Sequence, residues 1–129
     1  MNYIILEKKD NNNYREEGDS INNKQFLKVY EDYIKSDVVK FEDTIKNIFK
    51  NSSDLVIRNF KSNNVNIFVM YIDGLVNKDL IDRDIVKPIS LSNKNQSLNS
   101  IIQVSQLKII DIDLKFIDEI TDGNVVIMS

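Results

Sequence analysis

The sequence predicts a mixed α/β domain, a small sheet with helices packed on it. Three observations carry that expectation. Apolar residues recur at helical spacing in one long stretch and in shorter ones. Between them lie short β-branched apolar runs bounded by turn residues. The two patterns alternate along the chain as helix, strand, strand, helix, irregular stretch, helix, strand, which favours a mixed layered fold over a bundle or an all-β sandwich.

The elements follow in chain order. Residues 1–35 form a polar N-terminal segment. Its opening Tyr3-Ile4-Ile5-Leu6 is too short for a secretory core and no basic residues precede it. The stretch from Lys8 to Lys24 is rich in Asn, Asp and Glu and has too little apolar surface to offset ordering. Phe26, Tyr30, Tyr33 and Ile34 predict a short helix. The mixed α/β subdomain occupies residues 36–129. Ser36 is the expected N-cap of the main helix, with Asp37 in its first turn. Val38, Phe41, Ile45, Ile48 and Phe49 form its buried stripe, Lys46 and Lys50 favour its C-terminal end, and Asn51-Ser52-Ser53 ends it.

Asp54–Phe60 then reads as a strand and Lys61–Asn64 as a turn. Val65–Ile72 is apolar at both alternating sets of positions apart from Asn66, the pattern of a strand covered on both faces. Asp73-Gly74 closes it. Asn77 is placed to cap a helix over 78–86 with Leu80, Ile81 and Ile85 inward, stopped by Pro88. Residues 90–100 are polar, and 101–112 fits strand or helix. Asp113 is the expected cap of a helix holding Phe116, Ile117 and Ile120, ended by Asp122-Gly123. Val125–Met128 reads as a last strand. An apolar strand at the very end suggests a chain cut inside a larger unit.

Composition narrows the chemistry. The 129 residues hold no Cys and no His, which excludes disulfides, thiolate nucleophiles and every His-based triad. A net charge of -3 is the wrong sign for a nucleic-acid surface. The longest apolar run, Ile67–Ile72, falls far short of the roughly 20 residues of a membrane span. The absence of Ala, with 17 Asn and 20 Ile, points to AT-rich coding and lowers the weight of motifs built from those residues.

Candidate sites are few. Asp79, Asp82 and Asp84, and separately Asp111 and Asp113, have spacings that could hold Mg²⁺ or Ca²⁺. They lack the glycine and terminal glutamate of a Ca²⁺ loop and read more simply as solvated faces. The three glycines, Gly18, Gly74 and Gly123, are too scattered for a phosphate loop. Asn51-Ser52-Ser53 and Asn95-Gln96-Ser97 match a glycosylation pattern that this many asparagines produce by chance. Arg58, one of three arginines, sits mid-strand in an apolar segment. It requires solvent, a carboxylate or an anion, and Asp54 is the partner the sequence offers.

Two of these segments are distinctive together. Asn51–Phe60, with its Ser-x-Asp-Leu-x-x-Arg-x-Phe pattern, and Tyr71-Ile72-Asp73-Gly74-Leu75-Val76-Asn77-Lys78 resemble the N-terminal soluble domain of spore germinant receptor A subunits. Ile85-Val86-Lys87-Pro88-Ile89 and the segment Ile117–Met128 extend the resemblance over Val38–Met128. Asn77 stands where the family usually has aspartate, and Ile89 where it has leucine. The resemblance implies the first subdomain of a larger soluble region, without enzymatic activity or cofactor. It implies a role in nutrient-triggered germination through receptor assembly or signal transmission, with B and C subunits as partners. It also implies a spore inner-membrane location for the whole receptor, with this domain facing the spore core. Asp54, Arg58, Asp73 and Gly74 are the expected ligand or subunit contacts. The alternatives are a small-molecule (germinant-like) domain with its ligand near Gly74 and, more remotely, a metal-dependent enzyme using the aspartates.

Overall fold

The computed structural model describes residues 1–7, 37–50, 52–62, 65–92, 96–104, 106–111 and 115–129. Its sheet has five strands, β1 (Tyr3–Glu7), β2 (Leu55–Ser62), β3 (Val65–Ile72), β4 (Leu107–Asp111) and β5 (Val125–Met128), in the order β2-β3-β5-β1-β4. Strand β5 pairs parallel with β1, and β1 parallel with β4; β3 is antiparallel to both β5 and β2. The sheet is therefore mixed, as the fold class requires.

Both faces are covered. On one face Ile4 and Leu6 of β1, Phe68 and Met70 of β3 and Val126 and Met128 of β5 pack against Phe41 and Ile45 and against Phe116 and Ile120. The first two belong to α1 (Val38–Ile48), the second two to α5 (Lys115–Thr121). On the other face the alternating residues Tyr3, Ile5, Ile67, Val69, Tyr71, Val125 and Ile127 meet Ile81, Ile85, Ile89 and Ile102. The period-two alternation along each strand sends neighbouring residues to opposite cores. The double coverage of β3 expected from its unbroken apolar run is present, and β5 is buried at all four positions.

Helix α1 keeps its expected stripe. Phe41 and Ile45 are buried, Val38, Ile48 and Phe49 pack at the margin, and the Phe41 ring lies 4.3 Å from that of Phe68. Its N-cap is Asp37, not Ser36, because the Asp37 carboxylate accepts the Lys40 N–H at 3.1 Å. Strand β2 runs past the expected turn start. Lys61 and Ser62 stay in register with Asn66 and Val65, since the ladder to β3 satisfies their backbone better than an early turn.

The helix after Asn77 does not stop at Pro88. It runs as α2 (Lys78–Ile81), a π-helical turn (Asp82–Val86) and α3 (Lys87–Ser90). The Lys87 N–H reaches back to the Asp82 carbonyl, and this wider turn just before Pro88 makes room for a ring that would clash in a regular helix. Ile81, Ile85 and Ile89 form the buried row, while Leu80 is only half-buried. Residues 101–112 resolve into the end of a short helix, α4 (Leu98–Ile101), and strand β4.

Strand β1 was not expected. Tyr3–Leu6 is buried at the heart of the sheet between β5 and β4. An inner parallel strand reads as a continuous apolar run without alternation, so four residues carried no periodic signal. The expected helix over 26–34, the Asp113 cap and the 35/36 boundary lie outside the described residues.

Helix α5 ends in a Schellman motif: the Asn124 N–H bonds the Glu119 carbonyl and the Gly123 N–H that of Ile120, with Gly123 at φ +88°. Asn124 then donates from Nδ2 to Glu119 Oε2 at 2.8 Å and accepts the Asn2 N–H at 2.9 Å. The helix end, the start of β5 and the start of β1 are thereby joined.

Truncating the ring that joins α1 to the sheet tests this packing. Phe41→Ala is expected to lower the unfolding free energy by about 3–5 kcal/mol in urea titrations, a large share of the total of a domain this size.

Candidate functional site

The antiparallel register brings three of the four candidate residues to one end of the sheet. Leu55 pairs with Ile72, so Asp54 and Asp73 sit side by side, and the Asp73 N–H donates to the Asp54 carbonyl at 2.7 Å. Gly74 follows at φ +90°. The Leu75 N–H closes the turn onto the Ile72 carbonyl, a type II geometry that needs glycine at its third position. A Cβ at Gly74 would touch nothing within 4 Å, so the residue is required for backbone conformation and not for close approach.

Arg58 lies apart, four residues along β2. Its Nη1 donates to Asp82 Oδ1 at 2.9 Å and its guanidinium carbon stands 5.2 Å from the Phe60 ring centre. Asp54 is not its partner. From position 54 to 58 an extended strand rises about 13 Å, while Asp82 in the π-helical turn lies over the face that Arg58 shares with Val56 and Phe60. Asp73 is also engaged, with Lys78 Nζ at 3.2 Å. Asn77 caps α2 by accepting the Asp79 and Leu80 N–H groups, so the neutral residue does the work of an aspartate.

Two of the aspartates read as a solvated face, Asp82 and Asp84, have specific partners. Asp84 is 16% exposed and takes two bonds from Arg83, Nε–Oδ1 at 2.8 Å and Nη2–Oδ2 at 3.1 Å. Its Oδ2 also accepts the hydroxyl of buried Tyr3 at 3.3 Å. The hydrogen bond from Arg83 holds the Asp84 carboxyl below the usual range. Burial first, and the Asp84 charge second, push the Tyr3 hydroxyl up to about 12. The sequence marks Asp82 and Asp84 only by a spacing that could hold a cation and Tyr3 not at all, because their partners are 24 and 81 residues away. Among the described residues no group of three acidic side chains stands close enough to hold a metal ion, and no helix is long and apolar enough to cross a membrane.

Beside the turn is an open hollow of about 520 Å³ lined by Asp73, Gly74, Val76, Asn77, Lys78 and Asp79. It lies at the end of the sheet where β1, β4 and β5 begin. Ligands of open α/β sheets bind beyond the carboxyl ends of the strands, at the opposite edge. Leu75, 54% exposed at the tip of the same turn, presents an apolar side chain to solvent next to Asp73.

Two measurements check these assignments. Arg58→Ala removes a partly exposed ion pair and ring contact and should cost about 1 kcal/mol of stability or less in chemical denaturation. For Tyr3 the folded value lies above the unfolded one. Its contribution is therefore complete below pH 10 and is lost as the pH rises toward 12. Ultraviolet difference titration should show that Tyr3→Phe removes a tyrosine that ionises near pH 12, and the wild-type stability advantage over that variant should shrink across the same interval.

A family model described as Bacillus/Clostridium GerA spore germination protein matches residues 43–129. That span contains both segments that carry the sequence resemblance. Neither the curated proteins nor the solved structures yield a significant match.

Proposed function

The chain belongs to the GerA family of Bacillus and Clostridium spore germination proteins, and from that premise we propose that it is a subunit-contact module of a germinant receptor, acting in assembly or signal transmission without catalysis. The observation that carries the proposal is the family match over 43–129, which takes in the strand, turn and helix that hold the candidate residues. It ties the chain to spore germination; the receptor role, the B and C partners and the inner-membrane setting are our reading of it.

The site chemistry supports contact over turnover. Arg58, Asp73 and Asp82 each hold a neighbouring element through an ion pair, and Asp84 does so by accepting the Tyr3 hydroxyl. Their charges brace the hairpin and the helix over it. What the turn offers a partner is a rigid tip with a constrained backbone and an exposed Leu75. A subunit that binds this tip more tightly in one receptor state than in another would bias the complex toward that state. The hollow beside Gly74 gives weaker support to the ligand-binding alternative, since it is open and at the amino ends of the parallel strands.

The test uses the full-length protein in spores. Leu75→Asp leaves the core untouched and should preserve folding. It is expected to reduce co-purification of the other receptor subunits and to slow nutrient-triggered germination. Wild-type subunit recovery together with wild-type germination would overturn the contact role of the turn.

A further inference from the structure

The end of α1 holds a second hollow, of about 610 Å³, lined by Lys46, Asn47, Lys50, Ser52, Ser53 and Leu55. Among the described residues no acidic side chain lines it. Among the described residues neither lysine has an ion-pair partner and neither serine hydroxyl a hydrogen bond, unlike the paired arginines elsewhere. The carbonyls of Ile45, Asn47, Phe49 and Ser52 are already taken by N–H groups of the turns that follow the helix. The lining thus presents two cations and side-chain hydrogen-bond donors.

Lys50 adds a backbone observation. It has φ +34°, the only non-glycine with positive φ among the described residues. It sits directly after the C-cap Phe49, where glycine is the usual residue because a side chain there is strained. A lysine lining the hollow is thus held in a conformation that costs stability, the pattern of strain kept at functional positions. The whole chain carries a net charge of -3, so attraction of an anion to this hollow is local and not a property of the surface at large.

We infer that this hollow is a site for a phosphoryl oxyanion, with Lys46 and Lys50 supplying charge, Ser52, Ser53 and Asn47 supplying hydrogen bonds, and Leu55 a short apolar wall. The same chemistry fits a free phosphate-bearing solute and a phospholipid headgroup, and the two are separable. Inorganic phosphate titrated into the 129-residue chain at constant ionic strength should shift amide resonances saturably over residues 46–55. The Lys46→Gln, Lys50→Gly double variant should lose those shifts. Lys50→Gly alone should raise Tm, because glycine accepts the positive φ, so loss of binding is distinguished from loss of folding.

Sedimentation with phosphatidylglycerol vesicles, against phosphatidylcholine vesicles, supplies the second arm. Saturable phosphate shifts lost in the double variant identify a soluble ligand. No phosphate response, with vesicle binding lost in the double variant, identifies a headgroup. Neither response, or responses that the double variant retains, would overturn the site.

Discussion

The two halves of the sheet meet only at β5. On one side stand the antiparallel pair β2 and β3, on the other the parallel pair β1 and β4. Val125–Met128 pair with β1 and Val126–Met128 also with β3, and all four residues are buried. Their side chains divide between the two cores, Val126 and Met128 with α1 and α5, Val125 and Ile127 with α2, α3 and Ile102. Every backbone ladder between the two halves passes through this strand. Its entry is correspondingly fixed: Gly123 ends α5 in a left-handed conformation, and Asn124 binds Glu119 on one side and the backbone of Asn2 on the other. A short strand without alternation holds its register through these bonds and through neighbours on both edges.

Charge then locks the helix over the second face. The π-helical turn carries Asp82 and Asp84 with Arg83 between them. Asp82 reaches to Arg58 on the outer strand β2, and Asp84 to Tyr3 on the inner strand β1. One turn of helix is thus tied to strands on both sides of the sheet centre. The same widened turn accommodates Pro88 and lets Ile81, Ile85 and Ile89 continue one buried row. The candidate turn at Asp73-Gly74 leads directly into this helix, so a contact at its tip acts on a braced element.

Much of the fold was legible from pattern. The α1 stripe, the limits of β3, the Asn77 cap and the Gly74 and Gly123 turns rest on local rules, because helical spacing, capping geometry and positive φ are properties of neighbouring residues. The candidate site was only partly legible. Asp54, Asp73 and Gly74 converge because an antiparallel hairpin returns to its own start. The pairing of Arg58 with Asp82 was out of reach, since it depends on where a later helix lies on the sheet.

The amino-acid sequence by itself determined the α/β class, the family resemblance and the exclusion of cysteine and histidine chemistry, because composition and short-range spacing carry these. Tertiary structure alone decided that Tyr3–Glu7 is an inner strand, that the helix passes through Pro88, and that Asp82 and Asp84 are ion-pair partners. Each of those outcomes depends on contacts between residues far apart in the chain. Burial, strand order and charge pairing are set by the assembled layers, and no window of sequence contains them.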